Sequence, residues 1–133
     1  MENRTDAPAS AGPESEYLAA LAAGRFQIQR CAECARAVFY PRCVCPHCGA
    51  AKLDWLTPSG LATVYATTVV HRKAEQGGDY NVCLVDLDEG VRMMGQVVSL
   101  PAAEVRIGMP VQARIQGQGV AARVVFEPRE VRA

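Results

Sequence analysis

At 133 residues the chain holds one domain, or a small module joined to a modest second one, and with half of its residues apolar it can build a real core. Fourteen acidic against fourteen basic side chains argue against a general nucleic-acid binder, whose affinity comes mainly from phosphate neutralisation by a basic surface. No apolar run approaches a membrane span, the N-terminus lacks a signal-peptide h-region, and six cysteines in such a chain are expected to stay reduced, which points to the cytoplasm.

Residues 1–12 are small, polar and broken by Pro8, and are expected to form a disordered tail. A short helix is predicted over 13–24. Pro13 suits the first helical position, Glu14 and Glu16 the positive end of the dipole, and Gly24 the stop. Tyr17, Leu18 and Leu21 are read as its apolar stripe, which packs either on its own domain or on a partner. Arg25–Arg30 alternates, with Phe26 and Ile28 on one face, and is predicted to be a strand.

The chain then reads CAECARAVFYPRCVCPHC from Cys31 to Cys48, two Cys-x-x-Cys pairs separated by ten residues. Each pair sets two sulfurs on one side of a tight knuckle. Two facing knuckles, Cys31/Cys34 and Cys45/Cys48, close a tetrahedral Zn²⁺ site with four thiolates and no open position, the pattern of a structural metal. Iron in a rubredoxin-type site would use the same ligands. Gly49 follows the second knuckle, where a positive φ is often needed; the first has Ala35 there instead. Cys43 lies near enough in sequence to compete as a ligand but has no knuckle spacing, and His47 is expected to face solvent. Zn²⁺ with four thiolates adds a net charge of −2, which would leave the metallated chain slightly acidic. Val38–Tyr40 and Lys52–Leu56 complete a zinc ribbon over 25–56, with Trp55 as a packing residue.

From 57 to 127 the pattern changes to short β-rich runs separated by glycine, proline and acidic turns. Strands are predicted at Leu61–Val70, Val82–Asp88, Val91–Val98, Val111–Ile115 and Val120–Phe126. His71–Tyr80 is a polar loop, Asp88-Glu89-Gly90 a hairpin turn, and Gly95 a bulge or bend. Five strands, with a long connection between the third and fourth, suit a closed OB-type barrel. The fold class is therefore mainly β, with a short N-terminal helix, and residues 128–133 are expected to fray.

Candidates for catalysis are few. Cys83 sits inside an apolar strand and reads as a small core residue. His71 stands beside Arg72 and Lys73, whose charges disfavour its protonation. Asp86, Asp88 and Glu89 lie around a hairpin and read as a solvated turn. No Gly-x-Ser-x-Gly, Walker A or dinucleotide fingerprint is present. The residues favour a binding or scaffolding protein over an enzyme.

Several segments occur together in one order. They are Leu21–Phe26 at the helix end, the two knuckles with Tyr40-Pro41-Arg42 and Cys45–Gly49, the run Gly60–Val70, Val85–Arg92, and Ile107–Val111. In that order and spacing, from about residue 15 to residue 127, the chain resembles the DUF35 family. The resemblance implies a helical segment, a rubredoxin-like zinc ribbon and an OB-fold associated with acyl-CoA. It also implies a non-catalytic companion of a thiolase-like enzyme or retro-aldolase, or of a MaoC-type hydratase, which organises the complex and helps present the CoA thioester. Ala35 and Cys43 depart from the family pattern.

In that setting Arg72 and Lys73, with Arg42 of the ribbon, are candidates to meet the CoA phosphates; otherwise they are ordinary surface charges. Two other classes stay in view. A nucleic-acid-binding ribbon-plus-barrel protein would want basic grooves interleaved with exposed aromatics, and the chain has only eight aromatic residues. An independent enzyme would show turnover by the purified chain.

Overall fold

The computed structural model describes residues 12–130. The expected disordered tail therefore falls outside the described residues except for Gly12, as do the last three residues of the expected C-terminal tail. The chain divides into two units, one running to Pro58 and including Ile115–Arg123, the other made of Ser59–Arg114 and the residues from Val124 onward.

The first unit opens with helix α1, Pro13–Ala22, with proline in its first turn and Glu14 and Glu16 beside it. Its end is closed by Gly24 at φ +87°, whose N–H donates to the Leu21 carbonyl while the Arg25 N–H donates to that of Ala20. The buried face is Tyr17, Ala20 and Leu21; Leu18 is half exposed. This corrects the predicted stripe. Residues three and four apart share a helix face, whereas Leu18 is rotated about 100° from Tyr17. The helix packs within its own unit: the Tyr17 ring meets Phe39 and Tyr40 edge-on, at 5.5 and 5.7 Å between centroids. The Tyr40 hydroxyl donates to the Glu14 carboxylate at 2.7 Å.

Both phenols are harder to ionise than usual. Burial, helped by the neighbouring Tyr40, pushes Tyr17 up to about 12, and the hydrogen bond to Glu14 pushes Tyr40 up to about 12. A folded-state pKa above the ordinary value near 10 contributes stability that is complete below pH 10 and lost as the pH climbs through 12. We expect α1 to leave the ribbon in that window. In a near-ultraviolet absorbance titration, two phenols should ionise late and together with a fall in helical ellipticity.

The ribbon is a three-stranded antiparallel sheet of β1 (Ile28–Cys31), β2 (Ala37–Val38) and β3 (Leu53–Leu56), with β1 in the middle. β2 is shorter than the predicted Val38–Tyr40 because Phe39 and Tyr40 leave the sheet to meet Tyr17. Gln29 is buried, and both ends of its amide are bonded. Its Nε2 donates to the Arg42 carbonyl at 2.9 Å and its Oε1 accepts from the Arg42 N–H at 2.7 Å, pinning the segment that leads to the second knuckle. Trp55 lies half-buried on β3, opposite Gln29.

The second sheet has the order β6-β5-β4-β7-β8, with β4 Leu61–Val70, β5 Tyr80–Leu87, β6 Arg92–Gly95, β7 Pro110–Gln116 and β8 Arg123–Pro128. A bulge at Tyr65 shifts the β4–β5 register between Val64 and Ala66 and bends the long first strand. Closure comes at the two edges, where Val97 bridges Phe126 in parallel and the Val98 N–H donates to the Phe126 carbonyl at 2.7 Å. The result is the expected five-stranded OB barrel, filled by Val64, Val85, Val97, Val111, Val125 and Phe126 among others. Gly95 ends β6 beside the ring that fills this core. A Cβ there would stand 2.8 Å from Phe126 Cε1, so the position excludes a side chain. β8 begins later than predicted because Gly119–Ala121 forms a 3₁₀ turn. The expected fraying from residue 128 is also corrected: Pro128 ends β8, and Arg129 donates from its N–H to the Pro110 carbonyl and from Nε to the Val111 carbonyl.

Candidate functional site

The two knuckles are built alike. In the first, the Ala35 N–H donates to the Cys31 carbonyl at 2.9 Å; in the second, the Gly49 N–H donates to that of Cys45 at 2.9 Å. Each tight turn aims further N–H groups at sulfur. Glu33 and Cys34 N–H point at Cys31 Sγ at 3.4 and 3.5 Å, and the His47 N–H at Cys45 Sγ at 3.3 Å. Such donors favour thiolate over thiol, which is the form that ligates metal.

The four predicted sulfurs converge. Those of Cys31, Cys34, Cys45 and Cys48 all lie within 4.8 Å of one another, with Cys31–Cys48 at 3.5 Å and Cys34–Cys45 at 3.7 Å. Zinc–sulfur bonds of about 2.3 Å in a tetrahedron require edges of about 3.8 Å, so the donor set fits Zn²⁺. None of the four is in a disulfide. Burial opposes ionisation of Cys45, but N–H donors from Cys48 and His47 outweigh it and lower its pKa to about 7. The Ala50 N–H favours the Cys48 thiolate, yet the other sulfurs and burial push that group up to about 12. Crowded sulfurs share protons in this way until a cation takes their place. Cys43 is exposed and outside the cluster, and His47 points its ring at Arg36, so neither competes for the site.

Ala35 adopts φ +66°, where an L-residue pays about 1–2 kcal/mol. Ala35→Gly should therefore stabilise the ribbon by up to about 1 kcal/mol once the extra chain entropy of glycine is subtracted. A comparison of zinc-loaded unfolding midpoints checks this, and an unchanged or lowered midpoint would refute it.

The other predicted residues fall in two places. Arg72 and Lys73 stand in the β4–β5 loop of the barrel unit, whereas Arg42 belongs to the ribbon and has an exposed side chain. Arg72 is held in place: its Nε donates to the Gly78 carbonyl at 3.0 Å, its N–H to Asp79 Oδ1, and its guanidinium lies 4.5 Å over the Tyr80 ring. The neighbour that decides the setting of His71 is Asp79, hydrogen-bonded to its Nδ1 at 3.0 Å, rather than the adjacent cations. The His71 bond, with the Arg72 N–H, lowers the Asp79 pKa. Cys83 is buried, with its thiol near the Gly95 carbonyl and its pKa raised by burial, as suits a core residue. Asp86 is not a free turn carboxylate. It pairs with Arg92 at 2.7 Å, and the Arg92 guanidinium lies 3.4 Å over Tyr65. The hairpin at Asp88-Glu89-Gly90 carried the signal for that pair, since it sets Asp86 opposite Arg92.

Residues 18–54 match the family described as the ChsH2 rubredoxin-like zinc ribbon domain, and residues 55–116 the one described as the ChsH2 C-terminal OB-fold domain. The solved Ltp2-ChsH2(DUF35) aldolase superposes with a TM-score of 0.75 at 30% identity, covering 96% of this chain and 97% of that one. The chain belongs to the DUF35 family. A DUF35 structure from Sulfolobus solfataricus shares the fold at 17% identity, with a TM-score of 0.64 over 89% of this chain and 87% of that one. Among curated proteins, a probable enoyl-CoA hydratase alpha subunit of Thermomonospora curvata is 37% identical over 65% of this chain and 28% of its own length. A DUF35 domain-containing scaffold protein of Methanocaldococcus jannaschii is 34% identical over 63% of this chain and 62% of its own. The matched region thus spans less than two thirds of either relative. Among the described residues of this DUF35 chain, no helix is long and apolar enough to cross a membrane.

Proposed function

We propose that this chain is a non-catalytic accessory subunit that partners a thiolase-like enzyme or a MaoC-like hydratase in acyl-CoA metabolism. The observation that carries the reading is the end-to-end likeness to the DUF35 chain of an aldolase complex, joined by relatives named as a hydratase subunit and a scaffold. Zn²⁺ on Cys31, Cys34, Cys45 and Cys48 supplies structure, a closed tetrathiolate core with no position for substrate. The chemistry of the side chains agrees with a companion role. The His71–Asp79 pair is exposed and has no nucleophile hydrogen-bonded to it among the described residues, and Cys83 is enclosed in the core. Arg72 and Lys73, both in the β4–β5 loop, are the groups we assign to the phosphates of a bound CoA thioester. The expected compartment is the cytoplasm.

Expression of the tagged chain in its source cell tests this reading. A thiolase-like or MaoC-like protein should co-purify near stoichiometrically, and the chain alone should turn over no acyl-CoA. Recovery without such an enzyme, or turnover by the lone chain, would sink it. Nucleic-acid binding is disfavoured by the barrel's outward face, where Tyr65 lies under Arg92 and Arg92 is itself paired with Asp86.

A further inference from the structure

The four sulfurs of the ribbon are not equally reachable. Cys31 and Cys45 are 0% and 2% exposed, Cys34 is half-buried, and Cys48 is exposed. Cys48 also lines a cleft of about 540 Å³ with Glu33, Gly49, Ala50, Ala51 and Lys52, and none of the other three ligands does. The side chains after Cys48 are too small to cover it: glycine, then two alanines. On the rim, Lys52 pairs with Glu33 at 3.4 Å, so the mouth carries no net charge and admits a small neutral molecule. In the zinc-loaded site all four sulfurs are thiolates, since a thiol does not ligate, and access then decides which one reacts. The nearest sulfur printed for Cys48 is that of Cys31, at 3.5 Å, on the opposite knuckle.

We propose that Cys48 is an oxidation site through which a peroxide opens the metal centre, with Cys31 as the resolving thiolate. The Cys48 sulfur attacks one peroxide oxygen, the O–O bond breaks, and hydroxide leaves and takes up a proton, giving a sulfenic acid and water. Cys31 sulfur then attacks the Cys48 sulfur. The S–S bond forms, the S–O bond breaks, and a second hydroxide leaves as water after taking up a proton. In sum, two thiolates, one hydrogen peroxide and two protons become one disulfide and two waters; sulfur is oxidised and oxygen reduced. Only Cys34 and Cys45 remain as donors, too few for a tetrahedral site, so the ion is released and the ribbon loses its core. Cys43 is exposed as well, but it lies outside the cluster, and its oxidation leaves all four donors in place. The site belongs to this chain alone and stands whether or not an enzyme partner is found.

The test treats the zinc-loaded full chain with hydrogen peroxide beside a colorimetric zinc indicator, with and without dimedone to trap sulfenic acid, and maps the cysteines by peptide mass. The dimedone adduct that accompanies zinc release should sit on Cys48. Without dimedone, one zinc should appear for each Cys31–Cys48 link, and thiol reductant with added Zn²⁺ should restore the site. Cys48→His keeps a fourth donor without the reachable sulfur, and should slow zinc release by about tenfold or more. Cys43→Ser should leave the release rate unchanged. A releasing adduct on Cys31, Cys34 or Cys45, or zinc retained while Cys43 alone is modified, would overturn the proposal. Release from Cys48→His as fast as from the unsubstituted chain, or its abolition by Cys43→Ser, would do the same. A Cys45–Cys48 link would overturn the role of Cys31. Should Cys48→His fail to take up zinc, the adduct map of the unsubstituted chain decides by itself.

Discussion

Replacing Cys45 with serine should release the metal and unfold the ribbon, taking bound zinc from one equivalent per chain to none. The reason lies in what fills the ribbon's core. Its buried cluster is Cys31, Val38 and Cys45, with Cys34, Ala50 and Leu53 packed against it, so half of its members are metal-ligand sulfurs. So small an apolar core cannot hold three short strands by burial alone. Zinc binding in small thiolate modules is worth about 10–16 kcal/mol, as much as the whole stability of an ordinary domain at about 5–15 kcal/mol. Cys45 is 2% exposed, and its sulfur faces Cys34 at 3.7 Å, so a hydroxyl there is both a poorer ligand and an enclosed polar group. Elemental analysis with amide exchange across β1–β3 checks the outcome. A Cys45→Ser protein that keeps one zinc and a protected ribbon would show that the metal is not its core. Acid should act in the same direction, because protons compete with zinc for each thiolate; the barrel strands should outlast the ribbon as the pH falls.

Asn81→Leu should cost the barrel about 2–6 kcal/mol, from about 1–3 kcal/mol for each of two orphaned partners. Asn81 is 1% exposed. Its Nδ2 donates to the Val97 carbonyl at 2.6 Å, and its Oδ1 accepts from the Val97 N–H at 2.9 Å. Val97 is where the sheet closes on Phe126, outside any named strand, so this side chain stands in for a missing ladder rung. Leucine keeps a similar branched outline but has no polar atom, and leaves both backbone groups enclosed without partners. Asn81→Asp keeps the acceptor but buries a charge, and should cost no less. Urea unfolding of the zinc-loaded chain reads the difference, and a loss below about 0.5 kcal/mol would mean that the closure does not depend on Asn81.

The local signals in the chain were strong where chemistry is set by spacing. Two Cys-x-x-Cys turns can present their sulfurs in few ways, and the four ligands are legible without coordinates. The same holds for Leu61–Val70, whose β-branched run is long enough to exclude other readings. Ala35 was visible as an anomaly after the first knuckle, and the backbone there does adopt the left-handed conformation that glycine would take without strain.

Other features depend on residues far apart in sequence. The helix stripe was misread because Leu18 is as apolar as Leu21, and only the positions of Phe39 and Tyr40 decide which side of α1 is covered. The Asn81–Val97 and Gln29–Arg42 bonds join polar residues that look unremarkable in a linear reading, as does the carboxylate that Asp79 offers His71. The amino-acid sequence alone determined the four-cysteine cluster, the family and the mainly β architecture, because short-range spacing and alternation are governed by local geometry. The tertiary structure alone decided how the barrel closes, which face of the helix is hidden, and that Arg72 lies over the Tyr80 ring. Those outcomes follow from the register between strands, which brings distant side chains to one surface and which no local pattern encodes.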